Sequence, residues 1–422
     1  MSSNPASSRS RRAFLAGSAT TITIVKPELV RGFAPPKLKA GLVGCGGRGS
    51  QAAIDLLTGA PNVELVAMAD LFEDKLESSL GRMQKDRRYE AVKDRIKVAP
   101  DHKHMGFNAY KRLVESDVDI VMLCTPPGWR PIHFEAAVEA KKHVFAEKPI
   151  ATDPTGVRRF IAAAHKAEQM KLTVMSGAQN HHSVFRKEQV KQIQDGAIGD
   201  VVATYAFYLV PSPVFHVDKR DSKWGDMEWE HRNWYSFLWL CGDQIVEQHF
   251  HNIDFVNWVM GTHPISAVAS GGAVWRPREE LYGNIYDHMA TDFVYPNGVR
   301  LSSHCRQYPP KTGFRRVGEV IAGSKGKREF INMQREAQNP QETEHTVMVQ
   351  SITGQGPYVN QGVAIAESTL TCIMGRESAY SGLEITWDQI MNSKQNLMPK
   401  VFDYNEKMIA PDLPVPGKYQ FT

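Results

Sequence analysis

The chain has 422 residues, 42% of them hydrophobic and 23% charged, which suits two ordinary domains with their own cores and excludes a disordered polymer. No run of eighteen apolar residues occurs, which argues against a membrane span, and five scattered cysteines without a C-x-x-C pair exclude a disulfide framework or thiolate zinc site. The formal charge of +4 resides in residues 1–34, where Arg9, Arg11, Arg12, Lys26 and Arg31 face Glu28 alone; the remainder is formally neutral, so nucleic acid is not an expected partner.

In chain order, Ser10-Arg11-Arg12-Ala13-Phe14-Leu15 matches the twin-arginine export pattern, and the uncharged stretch 13–25 that follows is too short to cross a bilayer. Residues 1–34 are therefore predicted to be an export signal and the protein to be periplasmic. Free NAD is scarce there, so any such cofactor would have to be held tightly. Residues 35–165 then alternate strand and helix: strands over 39–44, 63–69, 119–125 and 143–146, helices over 49–57, from 72 onward and over 134–141. Such alternation predicts a parallel sheet with both faces covered, a Rossmann-type α/β domain, with 171–177 available as one more strand. In 166–422 the strand-like runs 201–210, 265–275, 288–295, 299–305 and 317–322 follow with few helices between them, and Asn297-Gly298 marks a hairpin. This half is predicted to be an α+β domain on an open, mostly antiparallel sheet, with one helix over 243–260. The segments 358–361 and 376–382 suggest no chemistry.

Gly44-Cys45-Gly46-Gly47-Arg48-Gly49 fits G-x-G-x-x-G between a predicted strand and a predicted helix, and Asp70 follows Gly49 by twenty-one residues. In that setting Gly44 permits the tight turn, Gly46 the approach of a pyrophosphate, and Gly49 close helix–strand packing, while the helix start holds phosphate. Asp70 suits ribose hydroxyls and repels a 2′-phosphate, which favours NAD over NADP, although Lys75 lies one helical turn further on. Thr125-Pro126 ends a strand at the sheet edge where such folds bind ligands.

Glu147-Lys148-Pro149, about a hundred residues after the glycine loop and following His143-Val144-Phe145-Ala146, completes a combination that resembles the glucose–fructose oxidoreductase/inositol dehydrogenase (Gfo/Idh/MocA) family over nearly all the chain after Leu38. The resemblance implies a Rossmann domain joined to a substrate domain, a homo-oligomer formed through the large sheet, and a cofactor contact by Glu147 and Lys148. It places the Lys148 ammonium beside the nicotinamide, where it would steady a developing alkoxide. The family's D-x-x-x-H pattern maps onto Glu247 and His251, with glutamate in the aspartate position. On one continuous helix Glu247, His251 and Asp254 share a face, whereas His249 points away, so His251 is the expected acid/base and Glu247 its support. Arg232, Asn233 and Trp234 are expected to line the substrate pocket, joined by His181 and Asp254. Glu247, His249, His251, His181 and His182 lack a recognised metal spacing, so no metal is expected. His133 follows Thr125 by eight residues, a longer loop than the usual T-P-N-x-x-H, and does not inherit that histidine's role.

The resulting expectation is hydride transfer between NAD and a hydroxyl of a sugar, inositol or sugar derivative. Two alternatives stay open: a redox-neutral glycosidase that oxidises its substrate only transiently, and a non-catalytic sugar binder.

Overall fold

Six short strands between residues 38 and 176 are rich in aliphatic side chains and pair in parallel. They are β1 Leu38–Val43, β2 Val63–Asp70, β3 Lys103–Met105, β4 Ile120–Leu123, β5 His143–Ala146 and β6 Val174–Ser176. Their order is β3-β2-β1-β4-β5-β6, and β4, the run Ile-Val-Met-Leu, is buried at all four residues, as a strand covered on both faces must be. The order reverses between β1 and β4, and in open parallel sheets a crevice forms outside the carboxyl ends at that point. The computed structural model describes residues 36–211, 219–276, 279–309, 313–331, 336–409 and 411–422; the twin-arginine segment lies outside them.

The second sheet contains β7 Val201–Pro211, β8 Ser266–Gly272, β9 His288–Val294, β10 Arg300–Tyr308, β11 Arg316–Gly323, β12 Gly326–Glu329 and β13 Ile385–Thr386, in the order β12-β11-β7-β10-β9-β8-β13. All neighbours are antiparallel except β7 and β10, which run parallel. Along β10 the residues Leu301, Ser303, Cys305 and Gln307 are buried while Ser302, His304 and Arg306 face away, the alternation of a sheet covered on one side. The covering helices are Phe250–Met260 and Gly362–Ser381. The second of these carries the unassigned segment 376–382. Arg376 is fully buried, pairs with Glu377 at 2.8 Å and donates to the carbonyls of Thr152 and Gly242, so its role is to pin three chain segments together.

Two differences from the sequence reading matter for the site. The predicted helix over 243–260 is two helices, Gln244–Glu247 and Phe250–Met260. The break has a tertiary cause: Gln248 accepts a hydrogen bond from the Tyr208 hydroxyl (2.8 Å), and the buried His249 ring bonds Ser303 Oγ (2.8 Å) on β10. Holding both side chains against the sheet is incompatible with an uninterrupted helical turn. The second difference is that the chain does not leave the nucleotide domain at 165. β6 belongs to the first sheet, Asn360 bridges Val174, and the helix Pro340–Thr353 packs on Gly47–Gly59.

Candidate active site

The glycine loop joins β1 to the helix Gly47–Gly59. Gly44 has φ +97°, in the left-handed region that favours glycine, and a Cβ on Gly49 would lie 1.9 Å from the Gly44 carbonyl oxygen. Nothing lies within 4 Å of where a Cβ would stand on Gly46 or Gly47. The loop thus turns bare backbone and a helix start without a side-chain cap toward open space, a setting that fits a diphosphate. Asp70 closes β2 beside it. Its carboxylate accepts from Cys45 N (2.6 Å) and Phe72 N (2.9 Å), and burial raises its pKa against the pull of those two bonds. The carboxylate therefore ties the loop to the strand end where ribose hydroxyls would sit.

A cleft of about 690 Å³ runs from this loop across the sheet's carboxyl edge to the second domain. It is lined by Gly44, Gly46, Gly47, Arg48, Gly49, Asp70, Thr125, Pro126, Glu147 and Lys148 from the first domain. Arg232, Trp234, Glu247 and His251 line it from the second. Arg48 and Glu147 face one another. Arg48 Nε donates to Glu147, its Nη1 lies 3.3 Å from Asp55 and its Nη2 3.8 Å from Glu344. Burial lowers the Arg48 pKa, but these carboxylates, Glu147 first, outweigh it and raise the net value. Glu147 is thus occupied by Arg48 and leaves the Lys148 side chain free of it.

Lys148 instead spans the cleft. Its Nζ lies 2.6 Å from the backbone carbonyl of Glu247 and 3.1 Å from Oε1. The helix break makes this possible: His249 N bonds Gln244 O and Asn252 N bonds His249 O, and the Glu247 carbonyl takes the lysine. His251 lines the cleft in the first turn of the following helix, and its Nδ1 has no hydrogen-bond partner among the described residues. Burial, reinforced by Lys148, holds its pKa well below that of a free imidazole, so the ring is neutral and able to accept a proton at neutral pH. His249 sits in the core against Ser303 and Asn252.

The structure does not bring every expected substrate contact to the cleft. His181 bonds Asp254 (2.8 Å) and stacks on Trp258, while Asp254 also accepts from Ser368 (2.8 Å); neither lines the cleft. Asn233 is buried and donates to the Leu281 carbonyl. Arg232 does line it, but toward the end near Asp70: the guanidinium lies 3.9 Å from the Phe72 ring centroid and 3.1 Å from Asp74. Thr125 Oγ1 is 3.3 Å from His133 Nδ1. Burial and then Arg130 push that imidazole down to about 3. Sequence reasoning missed Trp129 and Arg130, which enter the cleft from the loop after β4. The unusual length of that loop was the available signal.

Residues 38–176 match the model of an oxidoreductase family with an NAD-binding Rossmann fold, Gfo/Idh/MocA. Among curated relatives, an uncharacterized oxidoreductase of Bacillus subtilis is 21% identical over 44% of this chain and 48% of its own length. An inositol 2-dehydrogenase of Rhizobium meliloti is 25% identical over 56% of this chain and 59% of its own. The chain thus spans about half the length of the curated relatives it matches. A solved structure of a Lactobacillus casei scyllo-inositol dehydrogenase, with NAD(H) and scyllo-inositol bound, aligns over 83% of this chain and 99% of that one (TM-score 0.63, 16% identity), which shows a shared fold. Residues 38–176 are thus similar to the NAD-binding Rossmann domain of that oxidoreductase family.

Proposed function

We propose that this protein is an NAD-dependent oxidoreductase acting on a CH–OH group of a sugar, inositol or sugar derivative. The observation that carries the reading is the convergence of Lys148 from the nucleotide domain with Glu247 and His251 from the second domain on one cleft. NAD, when bound, supplies the hydride acceptor. His251 then takes the hydroxyl proton as the carbon loses its hydride, and the Lys148 ammonium stabilises the charge that develops on oxygen. Glu247 fixes Lys148 through both its carbonyl and its carboxylate, so the ammonium is in place before the substrate arrives. Gly46 and Gly47 accommodate the diphosphate and Asp70 the adenosine ribose. The relatives named as inositol dehydrogenases support this substrate class.

The export pattern at residues 10–15 supports a periplasmic location, with the cofactor folded in beforehand and regenerated in place. Changing Arg11 and Arg12 to lysine would then leave the protein in the cytoplasm on fractionation. The outer face of the second sheet, with Tyr205, Phe207 and Leu209 of β7, Val320 of β11 and Val268 of β8, supports a homo-oligomer built through it. Sedimentation would show a monomer if that is wrong.

The decisive experiment purifies the protein without added cofactor and follows nicotinamide fluorescence while sugars, inositols and glycosides are presented. Accumulation of bound NADH with one of them, lost in Lys148→Met while NAD stays bound, is the expected result. Consumption of a glycoside with no net NADH would instead identify a redox-neutral lytic reaction. No redox change with any ligand would leave a binder.

A further inference from the structure

The loop after β4 carries a cation that the reaction outlined above does not use. Pro127–Trp129 forms one tight turn and the helix Arg130–Glu139 follows. A Cβ on Gly128 would lie 2.3 Å from the Trp239 carbonyl oxygen, so the turn is pressed onto the second domain. Trp129 Nε1 donates to His231 Nε2 (2.9 Å), and its ring packs against Phe402 at 4.6 Å between centroids. Arg130 is thereby fixed at the cleft wall, only 4% exposed.

Arg130 is held differently from the cations around it. Arg48 faces Glu147, and Lys148 faces Glu247. Arg130 donates from Nη1 to the Pro149 carbonyl, its Nε has no partner, and no carboxylate of the described residues lies within ion-pair distance of it. Glu147 and Glu247 offset the burial of Arg130 only from beyond contact distance, and a buried guanidinium with a free donor and no carboxylate in contact is costly unless a ligand supplies the anion. Guanidinium matches a carboxylate in shape as well as in charge. Six basic and three acidic side chains line the cleft, and a cofactor diphosphate accounts for only part of that excess.

We propose that Arg130 receives a carboxylate of the substrate, so that the protein acts on sugar acids in preference to neutral sugars or inositols. This rests on the oxidoreductase reading above and narrows it. The competing source of the anion is the cofactor's own diphosphate. That group belongs at the glycine loop after β1, whereas Arg130 follows β4 and grips the residue next to Lys148, at the reacting end.

The test uses the mature protein and the variants Arg130→Gln and Arg130→Lys. NAD affinity is measured first, by fluorescence. Calorimetry on the NAD-loaded protein then compares D-glucuronate with D-glucose and with glucuronamide, and D-galacturonate with D-galactose. At least one acid should bind about tenfold more tightly than both its parent sugar and, for glucuronate, its neutral amide. Arg130→Gln should erase that advantage, Arg130→Lys should keep part of it, and NAD affinity should stay within about twofold. The proposal is overturned if neither acid outbinds its parent, if Arg130→Gln keeps the preference, or if that variant loses NAD affinity in proportion. Should Arg130→Gln not fold, the acid-versus-amide comparison on the wild type decides. Failure of wild type to bind NAD would overturn the oxidoreductase reading separately, and calorimetry without NAD would still report on the acid preference.

Discussion

Lys148 and Glu247 meet across the domain cleft, the ammonium 2.6 Å from the glutamate's backbone carbonyl and 3.1 Å from its carboxylate. Two contacts from one residue fix both position and charge. Glu247→Gln keeps the carbonyl contact and removes only the charge. It should lower kcat by roughly tenfold to a hundredfold with little change in NAD affinity. Steady-state kinetics beside a fluorescence titration would check this. Unchanged kcat would show that the carboxylate does not support the lysine in turnover.

In the proposed reaction, His251 should set the pH dependence of oxidation. Its pKa lies well below the ordinary 6.5, through burial first and Lys148 second. The basic form therefore persists as pH falls through 6.5, and the acid limb of kcat/KM should appear only at distinctly lower pH. Lys148→Met removes one of the causes and should move His251 back toward 6.5, visible as an upward shift of its imidazole resonance titration. An imidazole titrating at 6.5 in the wild type would contradict the argument.

Arg232 bridges the cleft at the end near Asp70, away from the proposed reacting groups Lys148 and His251. It belongs to the second domain, yet it pairs with Asp74 and lies over Phe72, four and two residues beyond Asp70. Any cofactor seated against Asp70 would be closed in by this contact. Arg232→Ala should accelerate NAD release several-fold while kcat at saturating NAD changes little, measured by stopped-flow displacement. An unaltered release rate would mean that the ion pair plays no part in retention.

Glu230 offers a stability test distant from the reacting groups. Burial raises its pKa to about 7, against the pull of the Trp239 Nε1 hydrogen bond. A carboxyl whose folded pKa exceeds its unfolded value of 4.5 contributes stability that is full below 4.5 and lost as pH rises through 7. Buried histidines such as His231, pushed down to about 4, act with the opposite sign. The effect is therefore read as a difference between wild type and Glu230→Gln, whose amide still accepts from Trp239. Wild type should lose stability relative to the variant between pH 4.5 and 8, by roughly 3 kcal/mol at most, in urea titrations. A pH-independent difference would refute it.

Local signals were the legible ones. The glycine loop and Asp70 lie at strand ends, so their spacing pointed to the cleft, and the family resemblance pointed to Glu147 and Lys148 there. The strands of the second sheet were visible from alternation, as along β10. The helix break at Gln248 and His249 was not, because its cause is Tyr208 and Ser303, some forty and fifty residues away. The break separates Glu247 from His251 and Asp254, which stay together on the helix Phe250–Met260, and Asp254 is engaged there by His181 and Ser368. Arg130 escaped notice for the reverse reason. An arginine at a helix start reads as solvated surface, and only the burial of its loop against Trp239 reveals it.

The return of the chain to its first sheet limits how such a protein can be recombined. Asn360 pairs with Val174, Gln361 accepts from Ser176 N (2.9 Å), Thr346 Oγ1 donates to the Gly59 carbonyl (2.8 Å), and Met348 and Val349 share a core with Ala52, Ile54 and Leu57. A breakpoint after residue 176, natural as it looks along the sequence, would strip the dinucleotide half of an outer layer that the C-terminal third provides. The exchangeable cassette is discontinuous: residues 37–176 travel with 336–361, while the helix Gly362–Ser381 packs on the second sheet and would have to match whatever stretch is inserted between them.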